Sequence, residues 1–103
     1  MYLATFEFEQ VSADEEWRAL NAEIQRAAEG NEAYAERSVW TSPDGDRTLV
    51  VYRWETLEGL QAFREHPTHR EAKRRYEEWY DGFEVTIAEV LTEYRDGGLD
   101  GEQ

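Results

Sequence analysis

The 103-residue chain contains no cysteine, two prolines and a single lysine, Lys73. Without cysteine there is no disulfide framework, no thiolate zinc site and no cysteine nucleophile. Apolar residues, 40% of the chain, never run far without a charge, so no stretch of about 18 residues can span a bilayer. The N-terminus also lacks a basic segment leading into an apolar one. A soluble, cytoplasmic protein without a membrane partner is the expectation. Positive charge is scarce: 11 Lys and Arg stand against 24 Asp and Glu, a formal charge of -13. Such a balance repels phosphate backbones, so no nucleic-acid partner is expected. The same acidity and near-absence of lysine suggest a salt-adapted surface, whose self-repulsion salt would screen.

What remains suffices for one domain, since a chain of this size buries about two thirds of its unfolded surface. Tyr2 to Glu9 alternates, with Tyr2, Ala4, Phe6 and Phe8 on one face and Leu3, Thr5, Glu7 and Glu9 on the other, which is a strand. Ser12 with Glu15 forms a capping box for a helix from about Ala13 to Glu29, carrying Trp17, Leu20 and Ile24 at helical spacing and stopped by Gly30. Tyr34 to Thr41 and Thr48 to Glu55 are β-rich segments joined by the turn sequence Ser42-Pro43-Asp44-Gly45-Asp46, and form a hairpin. Thr56 caps a second helix with Leu57, Leu60 and Phe63, which must break before Pro67. Thr68 with Glu71 predicts a fresh start, Asp81-Gly82 a stop, and Phe83 to Tyr94 a last strand that is apolar on both faces.

The order β-α-β-β-α-β predicts an α+β, ferredoxin-like domain over residues 1-95 with a four-stranded antiparallel sheet, followed by an acidic, disordered tail over 96-103. Two helices cover only one face of such a sheet. The Leu49-Val50-Val51-Tyr52 stretch and the last strand carry apolar groups on both faces, so the uncovered face calls for a second copy, giving a homodimer packed sheet against sheet.

Two motifs sharpen this outline. Arg53-Trp54-Glu55-Thr56 at the end of the third strand, and Phe63-Arg64-Glu65-His66-Pro67-Thr68-His69 at the helix break, resemble those of the antibiotic biosynthesis monooxygenase (ABM) family of dimeric α+β barrels. The resemblance spans roughly residues 1 to 95. It implies a cavity between sheet and helices in which a small aromatic, polyphenol or quinol substrate is oxidised by O₂ without metal, flavin or other cofactor. The wall candidates are Phe6, Trp17, Tyr52, Trp54, Phe63, Trp79 and Tyr80, each of which would serve equally as core. Haem-degrading members of the superfamily use an Asn on the first strand, a Trp in the second helix and a His beyond it. The matching positions here, Phe6 or Glu7, Phe63 and Lys73, depart from that pattern, so cleavage of that type is not expected.

Among residues with chemistry, His66 and His69 titrate nearest neutrality and are the candidate bases for a phenolic substrate, with capping or solvation as the plainer role. His-Pro-Thr-His crosses a kink and lacks a third ligand, so no metal site is expected. Residues 53 to 76 hold six basic and four acidic side chains, the one local inversion of charge. A functional reading makes this stretch an attractor for an anionic substrate at the start of the second helix. The plainer reading is a solvated helix face, on which Glu71 with Arg75, Lys73 with Glu77 and Arg74 with Glu78 stand four apart and can pair. Arg53 stands apart, because on a central strand its guanidinium needs a carboxylate or a ligand. Two activities fit: a cofactor-independent monooxygenase, or a non-catalytic dimeric module that binds a small molecule or haem.

Overall fold

The structure, a computed structural model, describes residues 1-99. Strands β1 (Tyr2–Gln10), β2 (Tyr34–Thr41), β3 (Thr48–Trp54) and β4 (Tyr80–Glu89) form one antiparallel sheet in the order β2-β3-β1-β4. Helix α1 (Glu15–Glu29) connects β1 to β2, while α2 (Leu57–Arg64), α3 (Pro67–Arg74) and a 3₁₀ turn at Tyr76–Glu78 connect β3 to β4. This is the ferredoxin-like βαββαβ arrangement that the element order predicts. Of the proposed tail, 96-99 follow β4 without helix or strand, and 100-103 lie outside the described residues.

Cross-strand register fixes the faces. Tyr2, Ala4, Phe6 and Phe8 pair with Trp54, Tyr52, Val50 and Thr48 on one side and with Glu89, Ile87, Val85 and Phe83 on the other, so these side chains share the helix-covered face. Leu3, Thr5, Leu49, Val51, Arg53 and Trp40 take the opposite, open face. The packed core lies at the Tyr2–Trp54 end, where Trp54, Leu60 and Ala28 are fully buried alongside Ala33 and Phe63. Helix α2 reaches this core because Gly59 carries no side chain: a Cβ there would stand 2.2 Å from the Ala33 Cβ. Asn31 fixes the contact, donating its side-chain amide to the Gly59 carbonyl at 2.9 Å while its Oδ1 accepts from the Ala33 N–H.

Three boundaries differ from those read in the sequence. The α1 cap is Asp14, not Ser12: its carboxylate accepts from Trp17 N–H at 2.9 Å and from Trp79 Nε1–H at 3.2 Å. Residues 11 and 12 are engaged instead with the Trp79 carbonyl. Helix α3 is capped by His66, whose Nδ1 accepts from Thr68 N–H, not by Thr68. Pro67 therefore occupies the first helical position, where its missing N–H costs nothing. The last strand spans Tyr80–Glu89, not Phe83 to Tyr94, because Gly82 takes φ +98° and lets the chain continue through a bulge opposite Phe8 and Gln10 rather than stop. Leu91 and Tyr94 beyond it are almost wholly exposed. No described helix is long and apolar enough to cross a membrane.

Candidate functional site

Past the packed core, the helices stand away from the sheet. The covered face there is apolar but unfilled: Val39, Phe83 and Val85 remain nearly half exposed, each 47-49%. The result is a cavity of about 380 Å³ between the strands and the three helices, a volume proper to small-molecule sites. Its floor includes Phe6, Val50 and Tyr52, and its roof Trp17, Ile24, Phe63, His69 and Tyr76, with Tyr80 at the start of β4.

The proposed site residues divide between this cavity and other places. Phe6, Trp17, Tyr52, Phe63, Tyr80 and His69 line it together. Trp54 does not: it is completely buried among Tyr34, Tyr52 and Phe63, with ring centroids 5.7, 6.0 and 4.9 Å away. Trp79 is likewise core, only 1% exposed, held between the Asp14 carboxylate and the Arg75 guanidinium 4.9 Å over its ring. Arg53 projects from the open face, outside the cavity lining, where it meets the carboxylates of Glu93 and, at 3.9 Å, Glu36. His66 is spent on the helix cap. Among the described residues no group of three or more His, Asp and Glu could hold a metal ion.

Hydrogen bonding orients two hydroxyls. Trp17 Nε1–H is donor only, so at 2.8 Å the Tyr80 hydroxyl oxygen accepts from it and keeps its own proton for a ligand. The Tyr52 hydroxyl donates to Gln25 Oε1 at 3.2 Å. Burial raises the pKa of both tyrosines, which therefore stay neutral. His69 moves the other way, to a pKa of about 4, first through burial and then through the charges of Lys73, Arg64 and His66. Its imidazole is neutral at physiological pH. Its Nδ1 is sealed from solvent without a partner among the described residues, which leaves Nε2 to meet a ligand.

Three cations also line the cavity: Arg64 and Lys73, which belong to the basic stretch of residues 53 to 76, and Arg37, which sequence alternation does not place there. A register shift between Tyr34 and Glu36 puts Tyr34 and Arg37, three apart, on the same face, which plain alternation forbids. Lys73 does not pair with Glu77, because α3 ends at Arg74 and the 3₁₀ turn breaks the i,i+4 spacing. Arg74 meets Glu71 at 2.6 Å instead, and Arg75 meets Glu78 and Glu16, both at 2.8 Å.

No protein-family model and no curated relative matches the sequence. Solved structures do. Rv0793 from Mycobacterium tuberculosis superposes with a TM-score of 0.74 at 18% identity, over 91% of this chain and 98% of that one. A candidate antibiotic biosynthesis monooxygenase from Deinococcus radiodurans gives 0.72 at 15%, over 92% and 97%. SnoaB from Streptomyces nogalater, described as a cofactor-independent oxygenase, gives 0.71 at 9%, over 89% and 94%. The chain has the antibiotic biosynthesis monooxygenase fold. The resemblance carried by the Arg53–Thr56 and Phe63–His69 motifs thus agrees with the backbone. Within this ABM-type fold, Trp54 of the first motif anchors the core, and the second motif divides between the cavity wall, through Phe63, Arg64 and His69, and the helix cap, through His66.

Proposed function

We propose that the cavity binds a small polyphenol or quinol-like aromatic and supports its oxidation by O₂ without metal or flavin. The open, aromatic-lined space above Phe6 and Tyr52 carries this reading. In an anthrone-like substrate the ring carbon flanked by two aryl groups gives up a proton. The resulting carbanion or phenolate is itself the reductant for O₂. One oxygen atom becomes the new carbonyl, and the other leaves as water with the two hydrogens of the substrate carbon. The protein contributes desolvation, shape and hydrogen bonds, with the Tyr80 hydroxyl as donor to the developing oxyanion and His69 Nε2 as proton acceptor.

The low basicity of His69 favours a second reading, a non-catalytic module that binds such a molecule for transfer or sensing. Oxygen uptake with a panel of hydroquinones and anthrones separates the two. The oxygenase reading expects uptake above the protein-free rate, slowed about tenfold or more by Tyr80→Phe and by His69→Ala. No uptake, together with ligand-induced thermal stabilisation, supports the binding module and overturns the oxygenase.

The open sheet face belongs to the same reading. Trp40, 62% exposed, stands there beside Leu49 and Val51, and we take a second copy of the chain to cover it, giving a homodimer. Sedimentation at micromolar concentration is expected to show about 24 kDa, twice the mass of the 12.1 kDa chain; a 12 kDa species at matched salt would refute the dimer.

A further inference from the structure

We infer that the cavity selects an aromatic molecule that bears a negative charge, a ring carboxylate or an ionised phenol, seated near Arg64 and Lys73. The inference rests on reading this cavity as an aromatic-binding site, and it names the charge of the occupant.

The first observation is a sorting of charge. The chain carries 24 acidic residues, yet among the described residues no Asp or Glu lines the cavity, whereas Arg37, Arg64 and Lys73 do. A smaller cleft of about 200 Å³ at one end of the sheet shows the opposite sorting, with Glu7, Glu9, Asp81 and Glu84 against a single Arg47. The second observation concerns partners. Arg47, Arg53, Arg74, Arg75 and Arg95 have carboxylates within ion-pair distance, whereas none of the three cavity cations has one among the described residues; Arg18, Arg26 and Arg70 also lack one but stand outside the cavity lining. Unmatched cations along a concave apolar wall concentrate the local field and favour an anion over its neutral analogue.

The third observation is the state of His69. Lys73 and Arg64 both contribute to suppressing its protonation, so their charges reach the ring that faces the cavity. A neutral histidine beside two cations deprotonates a phenol poorly. The same two cations stabilise a ligand already ionised, and they lower the pKa of a phenol placed beside them. Charge at the site thereby assists the proton transfer to His69 Nε2, which a weakly basic imidazole performs poorly on its own.

The test compares 1-hydroxy-2-naphthoate with 1-naphthol, a pair with a common ring system and hydroxyl that differ in the carboxylate, by calorimetric titration at pH 7.5 in low salt. The carboxylate is expected to bind tenfold or more tightly, despite the repulsion of a chain at -13. Arg64→Gln and Lys73→Gln should each remove several-fold of that preference and together abolish it. Arg70→Gln, on α3 but outside the cavity lining, should leave it unchanged. Equal or tighter binding of 1-naphthol to the unmodified protein overturns the inference without recourse to any variant. An effect of Arg70→Gln as large as that of Lys73→Gln does the same, since it would show a diffuse field. Selective carboxylate binding without oxygen uptake leaves the charge preference standing and removes the oxygenase. Uptake on neutral phenols that bind as well as the carboxylate does the reverse, and failure of both naphthalenes to bind overturns the charge preference while the uptake panel decides the oxygenase.

Discussion

Trp54→Ala is expected to cost about 3-5 kcal/mol, the usual penalty for deleting a large buried aromatic. The Trp54 ring is wholly enclosed, and its neighbours Tyr34, Tyr52, Phe63, Leu60 and Ala33 come from two strands, one helix and the segment before β2. Such a site collapses poorly, because each wall is fixed by a different element. For a domain whose total stability is of order 5-15 kcal/mol, a loss of about 3-5 kcal/mol removes about a fifth or more. Trp54→Phe should be much milder, since the indole N–H is buried without a partner among the described residues and its removal relieves an unmet donor. Urea unfolding of the three proteins at equal concentration checks both values. A Trp54→Ala penalty below about 1 kcal/mol would mean that the ring is not the keystone its enclosure implies.

His69 governs the second large effect. Its folded pKa of about 4 lies below the ordinary value of 6.5, so on acidification the unfolded chain takes up the proton first. The contribution is complete above pH 6.5 and declines as the pH falls through about 4. At 1.36 kcal/mol per pH unit, the gap of about 2.5 units sets an upper bound of about 3 kcal/mol. His69→Leu lacks this term, so its stability should fall less steeply between pH 6.5 and 4 than that of the unmodified protein. The carboxylates of Asp14, Asp44, Glu71 and Glu78, all with lowered pKa through their hydrogen bonds, add acid sensitivity of their own. They are common to both proteins and cancel in the difference. Parallel pH profiles of the urea midpoint for the two proteins would show that the imidazole is not desolvated in solution.

How far the sequence could be read depended on whether a local rule or a tertiary contact set each position. The alternation of Tyr2 to Glu9 and the turn residues between β2 and β3 are local, and the face assignment of β1 and the hairpin follow directly from them. The helix caps are local as well, but Ser12 and Asp14 compete for one role. The Trp79 indole, 65 residues away, gives the Asp14 carboxylate its second donor. Pro67 carries two opposed signals, helix breaker and helix starter, and only the second identifies His66 as the cap.

The cavity was less legible than the fold for a related reason. Aromatic side chains at structural spacing do not declare whether they fill a core or border a space: Tyr52 and Trp54 share one strand face, yet one lines the cavity and the other is sealed beneath α2. Arg37 needs a bulge before it can reach the site, whereas Lys73 reaches it one helical turn after His69 within α3. Irregularities of this kind depend on the assembled sheet and helices more than on any short window of sequence.

The dense packing at the Tyr2–Trp54 end and the loose margin around Val39, Phe83 and Val85 give one sheet face two different tolerances to substitution. Changes at the loose margin alter the shape offered to a guest while leaving the keystone untouched. Substitutions along β2 and β4 therefore reshape the space beside the sheet at little cost to the fold, because the burial that holds the domain together lies at its other end.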